Sequence, residues 1–268
     1  MDPKRRLKRG LKDISPLFQQ KVETVERQNL LNEKRIECLS VFNPDRPGSS
    51  LFLTSYLASR VADTSCPCTI ISLTSRYLGR PEDAPTILQS ESFGSNIRWV
   101  SFTWDQLERV WEYPHDVVSS ESFANQKFFL DFEYNRIAQF DKIIPVLDKW
   151  ILLVRPNIES LSEVYKAMKA SMALNPHLEY YLLFDGAVTQ EKGSFLYEKF
   201  SEMTSRHLGL SVTWLGRLQE GMHQYTFSSS LALEHLSSKP VENYNSLEKR
   251  MLARLLQTSL EFAPCHNP

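Results

Sequence analysis

The stretch NPDRPGSSLFLT, residues 43–54, separates an apolar segment from a segment with helical periodicity. The apolar segment, RIECLSVF (35–42), predicts a short buried strand, and LFLTSYLASRVADT (51–64) carries apolar residues at helical spacing, which predicts a helix. TIISLTS (69–75) predicts a second strand. Strand, loop, helix and strand in this order and length form a βαβ crossover, which favours parallel pairing of the two strands.

Alternation of strands and helices continues along the chain. Five more apolar segments predict strands: IRWVSFT (97–103), KFFLDF (127–132), WILLVRP (150–156), LEYYLLFDG (178–186) and LSVTWLG (210–216). Amphipathic patterns predict helices at 160–174, with Ser160 as N-cap, and at 193–208. The fold class predicted is therefore α/β, a doubly wound, mainly parallel sheet of about seven strands with helices on both faces.

Length and composition fit one domain of this class. The chain has 268 residues, of which 42% are hydrophobic and 24% charged, as in ordinary globular proteins. A net charge of -1 argues against a surface that binds nucleic acid all over. The four cysteines have no zinc-like spacing and the six histidines form no ligand motif, so we expect reduced thiols and no metal site.

Hydropathy indicates where the protein works. No apolar run reaches the roughly 18 residues of a membrane span, and no apolar signal core follows the basic start. We expect a cytoplasmic protein, recruited to the inner membrane, if at all, by a partner. The expected parts are a basic and polar arm at 1–34, an α/β domain at 35–262 and a short tail at 263–268.

Positive charge is concentrated in the arm, where six lysines and arginines in the first dozen residues face one acid, Asp2. Apolar residues recur among them at helical spacing, which favours a segment that docks on a protein. The predicted docking residues are Arg5, Arg6, Leu7, Lys8, Arg9, Leu11, Ile14, Leu17 and Phe18. A purely electrostatic arm that attracts nucleic acid or a membrane surface is the alternative.

The loop at 43–54 follows the first strand, where a phosphate-binding loop belongs in such a sheet. It resembles the K-G-G-x-G-K-[ST] loop of the deviant-Walker P-loop ATPases, the MinD/ParA/FlhG family. At its successive positions stand Pro44 for the signature lysine, Asp45 and Arg46 for two glycines, Gly48 for the last glycine, and Ser49 and Ser50 for the final pair. Only Gly48 and the Ser50 hydroxyl match, and both lysines are missing.

The resemblance extends over residues 36–262. Asp131 stands at the Walker B aspartate, and Asp185 stands where relatives have an asparagine that contacts the base. Segments 207–221 and 231–256 resemble the last strand and the last long helix of the family. The second strand, which ends in an acid that orients the attacking water in relatives, offers Ser72, Thr74 and Ser75 instead.

The resemblance implies a degenerate member, a pseudo-ATPase without a catalytic residue, which we expect to hold neither ATP nor magnesium. Pro44, Gly48, Ser49, Ser50, Asp131 and Asp185 are the vestigial positions of its nucleotide site. Relatives work on cell-envelope, secretion, motility or positioning machines of bacteria, and a scaffold or regulator that binds a protein of such a membrane-associated complex is the function predicted.

Two alternatives stay open. One is a nucleotide-switched ATPase with a non-standard loop in which Arg46 replaces a lysine as the phosphate cation. The other is the adaptor that acts through the basic arm. Because Pro44 removes the lysine that reaches across the dimer in relatives, we expect no ATP-driven homodimer. A nucleotide-independent homodimer and a heteromer both remain compatible with the sequence, which does not name the partner.

Overall fold

A mainly parallel sheet organises the part of the chain that the computed structural model describes. The described residues are 37–45, 50–62, 67–74, 86–88, 96–104, 127–132, 134, 137–186, 188–219, 224–227 and 236, all within the unit of residues 36–268. The strands are β1 (Glu37–Phe42), β2 (Cys68–Thr74), β3 (Thr86–Leu88), β4 (Ile97–Thr103), β5 (Lys127–Asp131), β6 (Lys149–Val154), β7 (Glu179–Phe184), β8 (Val212–Gln219) and β9 (Gln224–Phe227). The α-helices are α1 (Leu51–Val61), α2 (Ile137–Ile143), α3 (Ile158–Leu174) and α4 (Gln190–Leu208), and a 3-10 turn spans Ile144–Val146.

Strand order confirms the predicted fold class. The order is β3-β4-β2-β5-β1-β6-β7-β8-β9. The seven inner strands pair in parallel, and β3 and β9 add one antiparallel strand at each edge. All seven strands expected from the sequence are present, and every end lies within two residues of the predicted one except the carboxyl end of β8, which lies three residues further along the chain.

Helices cover both faces of this sheet. On one face, Leu53 and Leu57 of α1 pack with Leu39 and Ile70 of the strands. On the other face, α3 and α4 bury Val164, Met168 and Phe200 against the strands, together with residues after β5. Because apolar layers bury both sides, β1 and β6 are buried at every position. This explains why both strands are mostly apolar in the sequence, without strict alternation of apolar and polar residues.

The predicted start of α3 is wrong. Ser160 is not the N-cap: the helix begins at Ile158, and the Asn157 side chain caps it by accepting a hydrogen bond from the Ser160 N–H at 2.8 Å. Asn and Ser are equally good caps, so the sequence pattern alone does not separate them. The shift places the Ser160 side chain inside the protein, where it is 1% exposed.

Helix α4 follows the expected rules at both ends. Thr189 caps its start by accepting a hydrogen bond from the Lys192 N–H, and Gly209, with φ of 68°, ends it in the left-handed region. The helix begins three residues before the predicted Gly193. Within the described residues, no helix combines the length and apolar character that crossing a membrane requires.

Buried charges hold the amino-terminal ends of the central strands together. Glu37 of β1 pairs with Lys127 of β5 and, at 2.6 Å, with Lys149 of β6, and all three side chains are at most 5% exposed. Lys127 also donates a hydrogen bond to the Leu236 carbonyl at 2.8 Å. Burial lowers the pKa of Lys149, and the Glu37 carboxylate opposes that change. These contacts therefore connect the starts of β5, β1 and β6 with one another and with Leu236.

Candidate functional site

The strand order reverses its direction at β1, so the carboxyl ends of β1 and its neighbours β5 and β6 lie at a topological switch point. From β1 the chain goes to β2 on one side, and from β5 it crosses to β6 on the other side of β1. In open α/β sheets, ligand sites lie in the crevice that such a reversal leaves at the carboxyl edge. The loop that begins at Asn43 and the residues that follow β5 and β6 all lie at this edge.

A serine–aspartate pair lies at the centre of this edge. Ser50 directly precedes α1, and its hydroxyl donates a hydrogen bond to Oδ1 of Asp131, the last residue of β5. Ser72, the register partner of Asp131 on β2, gives the carboxylate a second hydrogen bond. Both serines are 4% exposed. The pair that the sequence places at the Walker A hydroxyl and the Walker B acid is thus in direct contact.

The surroundings of Asp131 disfavour its charge. Burial raises the pKa of the carboxyl group, and the hydrogen bonds from Ser50 and Ser72 limit that rise because they stabilise the ionised form. Carboxylate and hydroxyl oxygens are ligands that Mg²⁺ accepts. Here these oxygens are hydrogen-bonded to one another, and among the described residues no three His, Cys, Asp or Glu side chains come together as a metal-binding group.

An aromatic layer with a hydrogen-bond chain lies beside the pair. The Trp150 Nε1–H donates to the Tyr134 hydroxyl at 3.1 Å, and that hydroxyl contacts Ser40 Oγ, which donates to the Leu130 carbonyl. The Phe42 ring, at the end of β1, packs edge-on against Tyr134 with centroids 4.8 Å apart. Burial raises the pKa of the Tyr134 hydroxyl, so it stays protonated at neutral pH.

Sequence reasoning missed Ser40 and Tyr134 as members of this edge. Ser40 is the one hydroxyl residue of a strand that is otherwise apolar at its inner positions, and a buried hydroxyl needs a partner. That was the signal available in the sequence. Tyr134 lies three residues beyond Asp131, and the sequence around it gives no comparable signal.

The loop after β1 is fastened to the neighbouring loop after β6. The Asp45 carboxylate accepts a hydrogen bond from Ser160 Oγ at 2.8 Å and lies 3.7 Å from Nε of Arg155. Ser160 Oγ in turn accepts a hydrogen bond from the Arg155 N–H at 3.2 Å. Asn43, which is 5% exposed, accepts a hydrogen bond from the Asp45 N–H at 3.0 Å through its side chain. Asp45 therefore contacts the first turn of α3.

The six predicted nucleotide-site positions are distributed as follows. Ser50 and Asp131 are in contact, Pro44 lies in the turn between Asn43 and Asp45, and Asp185 follows β7, where its N–H donates to the Val154 carbonyl at 2.7 Å. Asp185 is thus at the same edge but two strands away from β1. Gly48 and Ser49 lie outside the described residues, as do the arm residues Arg5, Arg6, Leu7, Lys8, Arg9, Leu11, Ile14, Leu17 and Phe18.

No protein-family model matches the chain, and no curated protein matches it. Solved structures do. The chain is similar to the MinD cell division protein of Aquifex aeolicus, with 10% identity and a TM-score of 0.46 over 86% of this chain and 100% of the other. It is also similar to the MinC:MinD cell division protein complex of the same organism, with 11% identity and a TM-score of 0.46 over 86% of this chain and 98% of the other. A ParA family ATPase of Chlorobium tepidum TLS matches with 12% identity and a TM-score of 0.40 over 83% of this chain and 99% of the other.

Proposed function

We propose that this chain is a catalytically inactive protein of MinD/ParA-like build that serves as a partner-binding scaffold or regulator. The observation that carries the proposal is the placement of Asp45, whose carboxylate lies in the loop after β1 and accepts a hydrogen bond from Ser160 at the carboxyl edge. In the resemblance, Asp45 stands where relatives have a glycine of the phosphate-binding loop. Ser50 and Asp131, which would hold magnesium in the resemblance, are in contact at the same edge.

The charges of the loop support the same proposal. Phosphoryl transfer depends on cations that neutralise the developing charge of the phosphates and on a group that positions the attacking nucleophile. Residues 43–54 contain no lysine, and their one arginine, Arg46, stands at a glycine position of the resemblance. Ser72 and Thr74 lie at the end of the strand that would supply the acid. Asp45 adds a negative charge to the loop, where it would repel a triphosphate. A site of this composition favours neither binding nor hydrolysis of ATP.

Nucleotide binding and turnover test the inactive half of the proposal. A fluorescent ATP analogue is titrated with magnesium, and phosphate release is followed in parallel for the wild type and for Asp131→Asn. We expect no saturable binding and the same background release from both proteins. Micromolar binding together with release that Asp131→Asn abolishes would contradict the proposal, whereas release that the variant retains would identify a contaminating ATPase.

Recovery of a bound protein tests the scaffold half. The native protein is cross-linked in its own cells and isolated, and the partner found is then quantified for three proteins: the wild type, Asp131→Asn and a variant without residues 1–20. We expect Asp131→Asn to recover as much partner as the wild type, because the proposed scaffold does not use nucleotide. Loss of the partner in Asp131→Asn would contradict this. Unchanged recovery without residues 1–20 would remove the proposed docking role of the arm.

A further inference from the structure

Asp45 lies far in sequence from Arg155 and Ser160, and these three residues connect two segments at the carboxyl edge. Asp45 follows β1, Arg155 follows β6, and Ser160 lies in the first turn of α3. We propose that these residues form a latch that holds residues 43–45, directly after β1, against α3 in one arrangement, whether or not nucleotide is present. The inference deepens the proposed function, and its statement about nucleotide rests on that function.

The geometry makes Ser160 the centre of the latch. Its buried Oγ donates to the Asp45 carboxylate at 2.8 Å and accepts from the Arg155 N–H at 3.2 Å. A hydrogen bond to a charged acceptor is about twice as strong as one between neutral groups. The link between Ser160 and Asp45 joins residues 115 apart in sequence. It is possible because β1 and β6 are parallel neighbours whose loops leave the same edge.

Electrostatics adds to this hydrogen bond. The Asp45 carboxylate lies at the amino-terminal end of α3, a helix of 17 residues, where the helix dipole favours a negative charge. Arg155 is 47% exposed and 3.7 Å from the carboxylate, so solvent screens this ion pair and its contribution is small. Asp45, whose carboxylate would repel a phosphate in the loop, is thus stabilised by Ser160 and by the amino-terminal end of α3.

Three backbone N–H groups report on the latch. The Asp45 N–H is bound to Asn43, the Arg155 N–H to Ser160, and the Ser160 N–H to Asn157. Exchange of such protons with solvent measures local opening. Each latch variant is read on the opposite loop: Asp45→Ala at the protons of residues 155 and 160, and Ser160→Ala at the proton of Asp45. In each variant, the N–H groups that are measured therefore keep their own hydrogen-bond acceptors.

Residue-resolved hydrogen exchange on the full-length chain tests the latch. We expect each variant to accelerate exchange on the opposite loop by about tenfold, the effect of losing one hydrogen bond to a charged group. The matched control is Arg206→Ala, which breaks the exposed pair of Arg206 with Glu202 at 2.8 Å on α4 and is expected to leave all three protons unchanged. Unchanged rates in both latch variants, or equal acceleration throughout the protein, would overturn the latch.

The same measurement separates the latch from the proposed function. ATP with magnesium is added to the wild type, and exchange at Asp45, Arg155 and Ser160 is expected to stay the same. A nucleotide-dependent change at these protons would contradict the proposed function and the statement that the latch is independent of nucleotide. Failure of the two variants to act across the loops, with no response to nucleotide, would overturn the latch alone.

Discussion

The carboxylates of Asp131 and Glu37 lie at opposite edges of the sheet and have different surroundings. At the carboxyl edge, Asp131 is half-buried beside hydroxyl groups, and no described residue forms an ion pair with it. At the amino edge, the Glu37 carboxylate lies between two buried ammonium groups. Burial costs both carboxylates hydration, and within the part of the chain that the structure describes Glu37 alone of the two gains Coulomb energy from opposite charges. We therefore expect the two carboxylates to respond differently to neutralisation.

At Asp131, we expect stability to depend on pH in the direction set by its raised pKa. Below the pKa that Asp131 has in the unfolded chain, its carboxyl group is protonated in both the folded and the unfolded state. As the pH rises through the higher pKa of the folded state, the stabilisation of the folded state by the protonated group is lost. Asp131→Asn cannot ionise. In urea titrations from about pH 4 upward, the free energy of unfolding of Asp131→Asn should therefore rise relative to that of the wild type. A pH-independent difference would contradict the raised pKa.

At Glu37, neutralisation should be costly. Glu37→Gln removes the carboxylate that the buried Lys127 and Lys149 share, and we expect the free energy of unfolding to fall by about 3–5 kcal/mol. The matched control is Glu163→Gln, which breaks the pair of Glu163 with Lys166 at 2.6 Å on the exposed face of α3. Its effect should stay within about 1 kcal/mol. Equal effects of both substitutions in urea denaturation would show that the buried charges do not act as described.

The helices and strands show which parts of the fold local sequence determines. The seven parallel strands are predictable because each contains a short apolar run between turn or helix signals, and β1 and β6 are buried at every position. β3 and β9, with three and four residues, and α2, with seven, are too short to show a period, and the sequence pattern does not predict them. The start of α3 is misread because Ser160 suits a cap and a buried hydroxyl equally well.

The cap of α3 can be checked by substitution. Asn157→Ala removes the acceptor of the Ser160 N–H, and we expect it to lower the free energy of unfolding by about 1 kcal/mol. Ser162→Ala, on the exposed face of the same helix, serves as the control and should have little effect. If thermal or urea unfolding gave the two variants the same stability, Asn157 would not be the cap that stabilises α3.

Long-range contacts depend on the whole sheet. The resemblance to P-loop ATPases places Ser50 and Asp131 at one site from the sequence, and the structure brings them into contact. The resemblance does not indicate that Asp45 binds Ser160, because this contact requires β1 and β6 to be neighbours with their loops at one edge. The hydroxyl of Ser40 and its contact with Tyr134 depend in the same way on packing between β1 and the residues after β5.

Ligand binding and stability of the whole molecule are linked. A ligand that binds only the folded state, at about 100 times its dissociation constant, stabilises that state by about 2.7 kcal/mol. The free energy of unfolding with and without ATP and magnesium therefore reports binding at any site of the folded chain. It does so without a labelled nucleotide, and the Asp131→Asn variant assigns any effect to the carboxyl edge.

Urea unfolding at increasing concentrations of ATP with magnesium shows directly whether the folded chain binds nucleotide. If the chain is an inactive scaffold, the free energy of unfolding of the wild type does not change with nucleotide concentration, and neither does that of Asp131→Asn. A free energy that rises with nucleotide in the wild type and stays constant in Asp131→Asn would contradict the proposed inactivity, because it would show that the edge formed by Ser50, Ser72 and Asp131 binds nucleotide.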